Sequence, residues 1–271
     1  MVGDYRYHAR GPNRFSWGVG LTQLMFTPDN PTALSAPKGE RPYTGSLGIE
    51  FSLHVKNSES ASSVTIALGT TGPNRYADDS QTWIHENVSS SPTYQGWDSQ
   101  VPVEMTVNLH LDHKHRIDRL DCGNDSTFEI DGYYEWGAAL GNFRTDADLG
   151  GLLRAGYNLP DNDSTPRVQI GSYEQGLFKE ETRKDAFSVF GFTGIRGSAV
   201  LHDITLDGPI FRDFDTVVDS KPFVGELLIG AGIRWGDCDL SLSRTLRTDE
   251  FAEQNENQQF GSVLFRLQWP W

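Results

Sequence analysis

The sequence has no run of apolar residues long enough to cross a membrane as a helix. Such a span needs about 18 or more consecutive apolar residues, and no stretch of the 271 residues approaches that length. The mean hydropathy of -0.47 is also low. These properties exclude a helical membrane protein but leave a transmembrane β-barrel open, because each barrel strand needs only alternate residues to be apolar.

Cysteine and positive charge are scarce as well. The two cysteines, Cys122 and Cys238, show none of the short Cys/His spacings of zinc sites, so either a single disulfide or two unpaired thiols fits them. Lysine and arginine number 23 against 37 acidic residues, which gives a formal net charge of -14. A chain without a basic face is not expected to bind nucleic acid. An acidic surface is compatible with divalent cations.

Glycine, proline and aromatic residues are plentiful, and apolar residues alternate with polar ones. The 28 glycines, 13 prolines and 11% aromatics are typical of short strands with many turns, and no long amphipathic helix is evident. Strict period-two alternation occurs at residues 46–56 and 101–112. The apolar positions there are Leu47, Ile49, Phe51, Leu53, Val55, Val103, Met105, Val107, Leu109 and Leu111.

Alternation of this kind fits either a soluble β-sandwich or an outer-membrane barrel. In a sandwich two apolar faces meet in a core, whereas in a barrel the apolar face points at lipid. Charge on the second face of long strands and aromatic residues at strand ends favour the barrel. The sequence therefore predicts one domain, residues 1–271, folded as an all-β, closed antiparallel transmembrane β-barrel of about 12 strands. Besides the two segments above, strands are predicted near residues 4–8, 14–26, 63–70, 127–138, 149–157, 186–196, 199–206, 223–235, 238–246 and 261–271.

Four long segments lack strand alternation and are predicted to be extracellular loops. They are residues 29–40, 74–100, 160–184 and 208–221. Long loops in a compact domain are usually functional or mobile, and in outer-membrane barrels the longer loops normally face outside. We therefore expect functional residues in these segments.

The predicted last strand ends on an aromatic residue. Its apolar face consists of Gly261, Val263, Phe265, Leu267, Trp269 and Trp271. This ending looks like the signal that the barrel-assembly machinery of Gram-negative bacteria reads. A soluble strand with an aromatic end is the alternative. The pattern favours a location in the bacterial outer membrane.

Several short motifs occur in a fixed order along nearly the whole chain. They are GERPYTG (39–45), GTTGP (69–73), Gln81 with His85, GWDSQ (96–100), LGN (140–142), LLRAGYNLP (152–160) and RTDEF (247–251). Together, in this order and spacing, these motifs resemble the bacterial lipid A 3′-O-deacylase family. The resemblance implies a twelve-stranded outer-membrane barrel that removes the 3′-linked acyloxyacyl group of lipid A. It also implies a histidine general base and a divalent cation, usually calcium.

The resemblance implies four candidate site residues. His85 is expected to be the general base, since histidine can take and return a proton at neutral pH. Gln81 lies four residues earlier, so a helix would place both side chains on one face. Ser16 stands at the family's active-site Thr/Ser position, and we expect its inward-pointing hydroxyl to bind the oxyanion. Asp4 is expected to bind calcium, a hard cation that takes about 6–8 oxygen ligands.

Two other functions stay open. Gly3 and Asn13 replace an asparagine and an aspartate of the family pattern, and no lysine follows Pro28 before Lys38. These departures favour a catalytically silent outer-membrane barrel as one alternative. Another outer-membrane lipase is the second, although it would need a Ser–His nucleophilic pair. In the leading interpretation the partners are lipid A or lipopolysaccharide, outer-membrane lipid and the barrel-assembly machinery.

Overall fold

The structure, a computed structural model, describes residues 13–73, 75–87, 92–121, 128–160, 187–236, 238–254 and 258–267. It contains a ten-stranded sheet in which each strand pairs antiparallel with the next one in sequence. The strands are β1 (Arg14–Phe26), β2 (Thr44–Lys56), β3 (Ser60–Thr71), β4 (Met105–Asp121), β5 (Phe128–Gly141), β6 (Arg144–Tyr157), β7 (Ser188–Asp203), β8 (Phe223–Trp235), β9 (Cys238–Arg247) and β10 (Gln258–Leu267). The helices are α1 (Arg75–Asn87), a short 3-10 helix (Trp97–Ser99) and α2 (Ile204–Asp207). Among the described residues, none of the helices is long and apolar enough to span a membrane.

Connections between the strands alternate between the two ends of the sheet, because all neighbours are antiparallel. We call the end where Phe26 pairs with Thr44 the loop rim. The opposite end, where a short turn joins Lys56 to Ser60, is the turn rim. Both α1 and α2 follow strands that end at the loop rim, so the helices belong to that end of the sheet.

The two faces of the sheet have opposite chemistry. Phe51 is 50% exposed, whereas the neighbouring Glu50 is 2% exposed. The sheet curls with its polar face inside, since residues of both β1 and β10 line one interior cavity of about 320 Å³. Apolar side chains outside and polar side chains inside reverse the order of a water-soluble protein, and they are typical of membrane barrels. The face predicted for residues 46–56 is thus confirmed.

Charged residues in the interior are neutralised by ion pairs. Arg154 donates from Nε and Nη2 to the two carboxylate oxygens of Asp131, at 2.8 and 2.7 Å. Arg196 Nε lies 2.7 Å from Asp148 Oδ1. A buried charge without a partner costs several kcal/mol, to order of magnitude. Pairing therefore allows charged side chains to be buried in this interior.

One predicted strand boundary is wrong. The separate strands expected at residues 186–196 and 199–206 are the single strand β7, and the last residues of the second segment begin α2. Gly197 does not interrupt β7 because it pairs on both sides, with Leu149 of β6 and with Gly225 of β8. The described residues therefore form ten strands. The strand predicted at residues 4–8 lies outside the described residues.

The predicted long loops do not all lie at one end. Three of them lie at the loop rim, namely 29–40, 74–100 and 208–221. Residues 160–184 follow Tyr157 and precede Ser188, and both of these strand ends lie at the turn rim. The part of this segment after residue 160 falls outside the described residues. Antiparallel pairing therefore separates this connection from the other three.

Candidate active site

Helix α1 lies against the outward face of the sheet at the loop rim. Ala77 of the helix is 1% exposed and faces Gly45 of β2, an outward position in the alternation. A Cβ atom on Gly45 would lie 2.7 Å from the Ala77 Cβ, so the close approach needs glycine. Because α1 follows β3 and contacts both β2 and β1, it crosses the outer wall toward β1. The helix thus covers the outside of the wall.

Aromatic side chains hold the segment after α1 in place. The rings of Tyr43 and Trp97 meet edge to face with centroids 5.6 Å apart, and the Tyr94 ring lies 6.4 Å from Tyr43. The Tyr43 hydroxyl donates to the Ala33 carbonyl oxygen at 2.9 Å. Burial raises the pKa of the Tyr43 phenol above its usual value, so this donor stays protonated. We call Tyr43, Tyr94 and Trp97 the aromatic cluster.

The ring of His85 on α1 is oriented by a hydrogen bond. Its Nδ1 atom lies 2.7 Å from the carbonyl oxygen of Pro92. A carbonyl oxygen only accepts, so Nδ1 carries a proton, and in the neutral ring Nε2 then holds the lone pair. The side chain is partly exposed, and its ring centroid lies 6.0 Å from that of Tyr94. This tautomer is the one that a general base needs, with a second group fixing its ring.

Gln81 lies one turn before His85 on the same face of α1, as the four-residue spacing predicts for a helix. Its Oε1 atom accepts a hydrogen bond from Trp97 Nε1 at 3.0 Å. Because the indole N–H is only a donor, this bond fixes which end of the amide is oxygen. The amide N–H groups of Gln81 then remain to donate elsewhere. One helix face therefore presents a base beside a neutral donor.

Strand β1 supplies a polar residue that sequence reasoning missed. Its outward residues from Phe15 to Leu21 are exposed and apolar, and Gln23 interrupts them. The next outward residue, Met25, packs against the cluster that includes Tyr43 and Trp97. Within the described part of the chain, the Gln23 amide makes no hydrogen bond. The sequence signal that could have identified Gln23 is that this polar residue interrupts an otherwise apolar alternation.

The structure does not bring Ser16 to these residues. Ser16 is less exposed than its outward neighbour Trp17, as predicted, but it pairs with His54 near the turn rim. Met25, which contacts the aromatic cluster, is nine residues further along β1, or about 30 Å at the usual rise of a strand. The structure therefore does not bring Ser16 together with His85, and the oxyanion role of Ser16 stays a prediction from the family resemblance. Alternation predicts the face of a strand residue and not its depth in the wall.

The predicted calcium ligand and one of the two cysteines cannot be placed. Asp4 and Cys122 lie outside the described residues, whereas Cys238 is an exposed free thiol. Across the described ranges, no group of three or more His, Cys, Asp or Glu side chains could hold a metal ion.

The interior cavity is a second candidate site, but its charges are already paired. Arg144 Nη1 lies 2.7 Å from Asp203 Oδ2, and Arg247 Nη2 lies 2.7 Å from Glu226 Oε1. Desolvating such pairs to admit an acyl chain would be costly. The outward site, where the neighbouring wall is apolar, is better suited to a lipid.

Comparisons with known proteins agree with the fold. A profile of the family described as outer membrane protein LpxR matches residues 5–269. A search of curated proteins finds no match. Among solved structures, LpxR from Salmonella typhimurium matches with a TM-score of 0.73 and 18% sequence identity, over 97% of this chain and 90% of that chain. The structural likeness at this identity shows the fold, and the profile spans nearly the whole sequence. The predicted resemblance is confirmed: the chain belongs to the LpxR family of outer-membrane proteins.

Proposed function

We propose that this protein is an outer-membrane esterase that removes the 3′-linked acyloxyacyl group of lipid A. Membership of the LpxR family supports a lipid A deacylase-like role. The observation that carries the proposal is the position of His85, a base on a helix that covers the outward face of the wall. A substrate held in the leaflet approaches such a site sideways, without entering the polar interior.

The proposed reaction is water attack on the ester carbonyl. His85 Nε2 takes a proton from the water, while the Nδ1–H bond to Pro92 keeps the ring oriented. The water oxygen bonds to the carbonyl carbon, and Gln81 donates an amide N–H to the oxyanion that forms. The carbon–oxygen bond to the sugar then breaks, and the proton on Nε2 passes to the leaving oxygen. The products are a free fatty acid and a sugar hydroxyl.

The wall beside the site offers an apolar surface to acyl chains. Below Gly45, the outward residues of β2 are Leu47, Ile49 and Phe51, and the last two are exposed. Each Å² of apolar surface that an acyl chain and the wall remove from water contributes about 25 cal/mol of favourable free energy. Gln23 on the adjacent strand lies among these apolar residues, and we propose that its amide binds a polar group of the substrate near the ester.

We propose calcium as a cofactor on the basis of the family resemblance, with Asp4 as one ligand. A bound divalent cation would stabilise negative charge as a Lewis acid. The test is fatty acid release after chelation with EDTA and after calcium is restored. Loss and recovery of release are expected, whereas full activity in EDTA would remove calcium from the proposal.

We also propose that the curled sheet closes into a barrel of about 12 strands, with residues 4–8 contributing one of them. In a closed barrel, the edges of β1 and β10 would each be paired with a neighbouring strand. Without closure these two edges expose backbone hydrogen-bonding groups. The terminal Trp271 is proposed as part of the signal for the barrel-assembly machinery. Deleting Trp271 should lower the amount of protein in the outer membrane and leave refolding in detergent unchanged. Normal outer-membrane levels would contradict the signal.

Mass spectrometry of lipid A from bacteria that express the chain tests the function. Lipid A from cells that express the parent should be lighter by the mass of the 3′ acyloxyacyl group. His85→Ala should lower the rate of this loss by about 10²–10⁴-fold. Glu86→Ala is the matched control, because Glu86 is an exposed neighbour on α1. Release from phospholipid instead would indicate another outer-membrane lipase. No release at any calcium concentration would favour the silent barrel, for which Gly3 is the supporting observation.

A further inference from the structure

Two exposed apolar side chains lie next to each other in the long loop between α2 and β8. Ile210 is 53% exposed and Phe211 is 76% exposed, and we call these two residues the rim tip. Residues on both sides of the tip are anchored in the protein, because Pro209 is buried and Phe214 packs against a buried apolar cluster. An apolar pair that stays outside a core is unfavourable in water. What surrounds the rim tip therefore decides what it contacts.

Hydrogen bonds fix the rim tip to the wall where β4 and β5 meet the loop rim. The backbone N–H of Phe211 donates to Glu104 Oε2 at 2.9 Å, and Asn142 Nδ2 donates to Glu104 Oε1 at 2.8 Å. Glu104 directly precedes β4, and Asn142 lies in the turn between β5 and β6. The outward residues on either side of Glu104 are Val103 and Met105, which are 46% and 81% exposed. The rim tip is therefore held beside the apolar outer face of the wall.

The apolar outer face reaches the loop rim on this side of the sheet. On four strands the outward residue nearest the rim is apolar and highly exposed, namely Met105 of β4, Leu140 of β5, Leu201 of β7 and Phe223 of β8. A wall that met water at these positions would carry polar side chains there. We therefore expect lipid to cover the wall up to the ends of these strands.

The length of β7 gives the depth of the rim tip. Its outward residues run from Val189 to Leu201, which is about 40 Å along the strand. At a strand tilt of about 40° this length spans about 30 Å across the membrane, close to the height of about 25 Å of the apolar band in outer-membrane barrels. Leu201 therefore lies near the edge of the hydrocarbon. The rim tip lies beyond the strand ends, at the lipid interface, where the aromatic residues of barrels concentrate.

We propose that the rim tip inserts into the outer leaflet and contacts the head-group end of the lipid acyl chains. Continuity with the apolar strand ends identifies this partner, since the lipid that covers Met105 also meets Phe211. The next residues, Arg212 and Asp213, are exposed and charged, which limits insertion to the two apolar side chains. The contact anchors the connection between α2 and β8 to the membrane. This anchor goes beyond the proposed esterase, because it does not depend on His85 or on any hydrolytic activity.

Fluorescence quenching of the full chain in phosphatidylcholine nanodiscs, with one copy per disc, tests the insertion. Cys122→Ser and Cys238→Ser remove the native thiols, and a fluorophore is attached at Phe211→Cys. Lipids that carry a nitroxide near the head group should quench this fluorophore strongly, whereas aqueous iodide should quench it weakly. The matched control is Thr216→Cys, an exposed polar position in the same loop, where iodide should be the stronger quencher. Ile210→Cys replaces Phe211→Cys if that variant does not fold.

Refolding into phosphatidylcholine bilayers gives a second measurement without a label. Phe211→Ala should lower the equilibrium constant for folding by about tenfold or more, because a phenyl group loses its contact with lipid. Thr216→Ala should refold like the parent.

Three outcomes would overturn the insertion. The first is iodide quenching at position 211 as strong as that at position 216. The second is weak quenching by both the nitroxide lipids and iodide, which would indicate that protein rather than lipid covers the rim tip. The third is an unchanged folding equilibrium in Phe211→Ala.

Discussion

Replacing Gly45 by alanine should push α1 away from the outer wall. The added Cβ would lie 2.7 Å from the Ala77 Cβ and 2.9 Å from Gln100 Oε1, whereas carbon atoms in contact are about 3.5–4.0 Å apart. The helix must therefore move by about 1 Å. A displacement of this size at catalytic groups can lower a rate by about 10²-fold. Overpacking should also lower the free energy of unfolding by about 1–3 kcal/mol.

The assay is the initial rate of fatty acid release from lipid A in mixed micelles, with unfolding followed in parallel. Adding Ala77→Gly removes the opposing methyl group and should restore most of the rate, although glycine within a helix costs about 1 kcal/mol of stability. Gly197→Ala is the matched control, because a Cβ on Gly197 meets nothing within 4 Å. A parental rate in Gly45→Ala, or no recovery in the double variant, would refute the placement of α1.

Three further changes test the wall and the site. Trp97→Phe removes the N–H that orients Gln81. It should lower kcat by about tenfold and the free energy of unfolding by about 1 kcal/mol. An unchanged kcat would exclude the orienting role. Gln23→Leu should raise KM for lipid A while stabilising the fold in bilayers, since it removes an amide from an apolar wall; a lower KM would contradict this. Val107→Arg places a charge on an outward residue that is 56% exposed, so bilayer refolding should become less favourable by about 2–4 kcal/mol, whereas Val107→Leu should refold like the parent.

Period-two alternation predicted the faces of the wall well because each face meets a different environment. Leu47 and Glu50 could be assigned to opposite faces from the sequence, since a shift of one residue would put charge into lipid. The same pattern carries no information on depth, so it could not indicate that Ser16 pairs with His54 near the turn rim, away from His85. The strand boundary near Gly197 was also predicted wrongly, because glycine is typical of turns and yet Gly197 continues β7.

The candidate site was predictable only in part. The four-residue spacing of Gln81 and His85 indicated one helical face, and α1 confirms it. The hydrogen bonds to Trp97 and Pro92 that orient these side chains depend on how the segment after α1 folds back. These two hydrogen bonds join residues that are 16 and 7 positions apart in the sequence. No periodic pattern in the sequence predicts them. The contact of α1 with Gly45 is equally non-local.

Placement of α1 on the outer wall has a kinetic consequence for the proposed enzyme. A substrate that stays in its leaflet meets His85 by diffusion in two dimensions, so its effective concentration is a mole fraction of the surface rather than a molarity. Diluting lipid A with an inert lipid at constant bulk concentration should therefore slow turnover. Adding more vesicles of the same composition should leave the rate per membrane-inserted enzyme unchanged. For such an enzyme, the affinity for lipid A is therefore expressed as a mole fraction of the membrane and not as a bulk concentration.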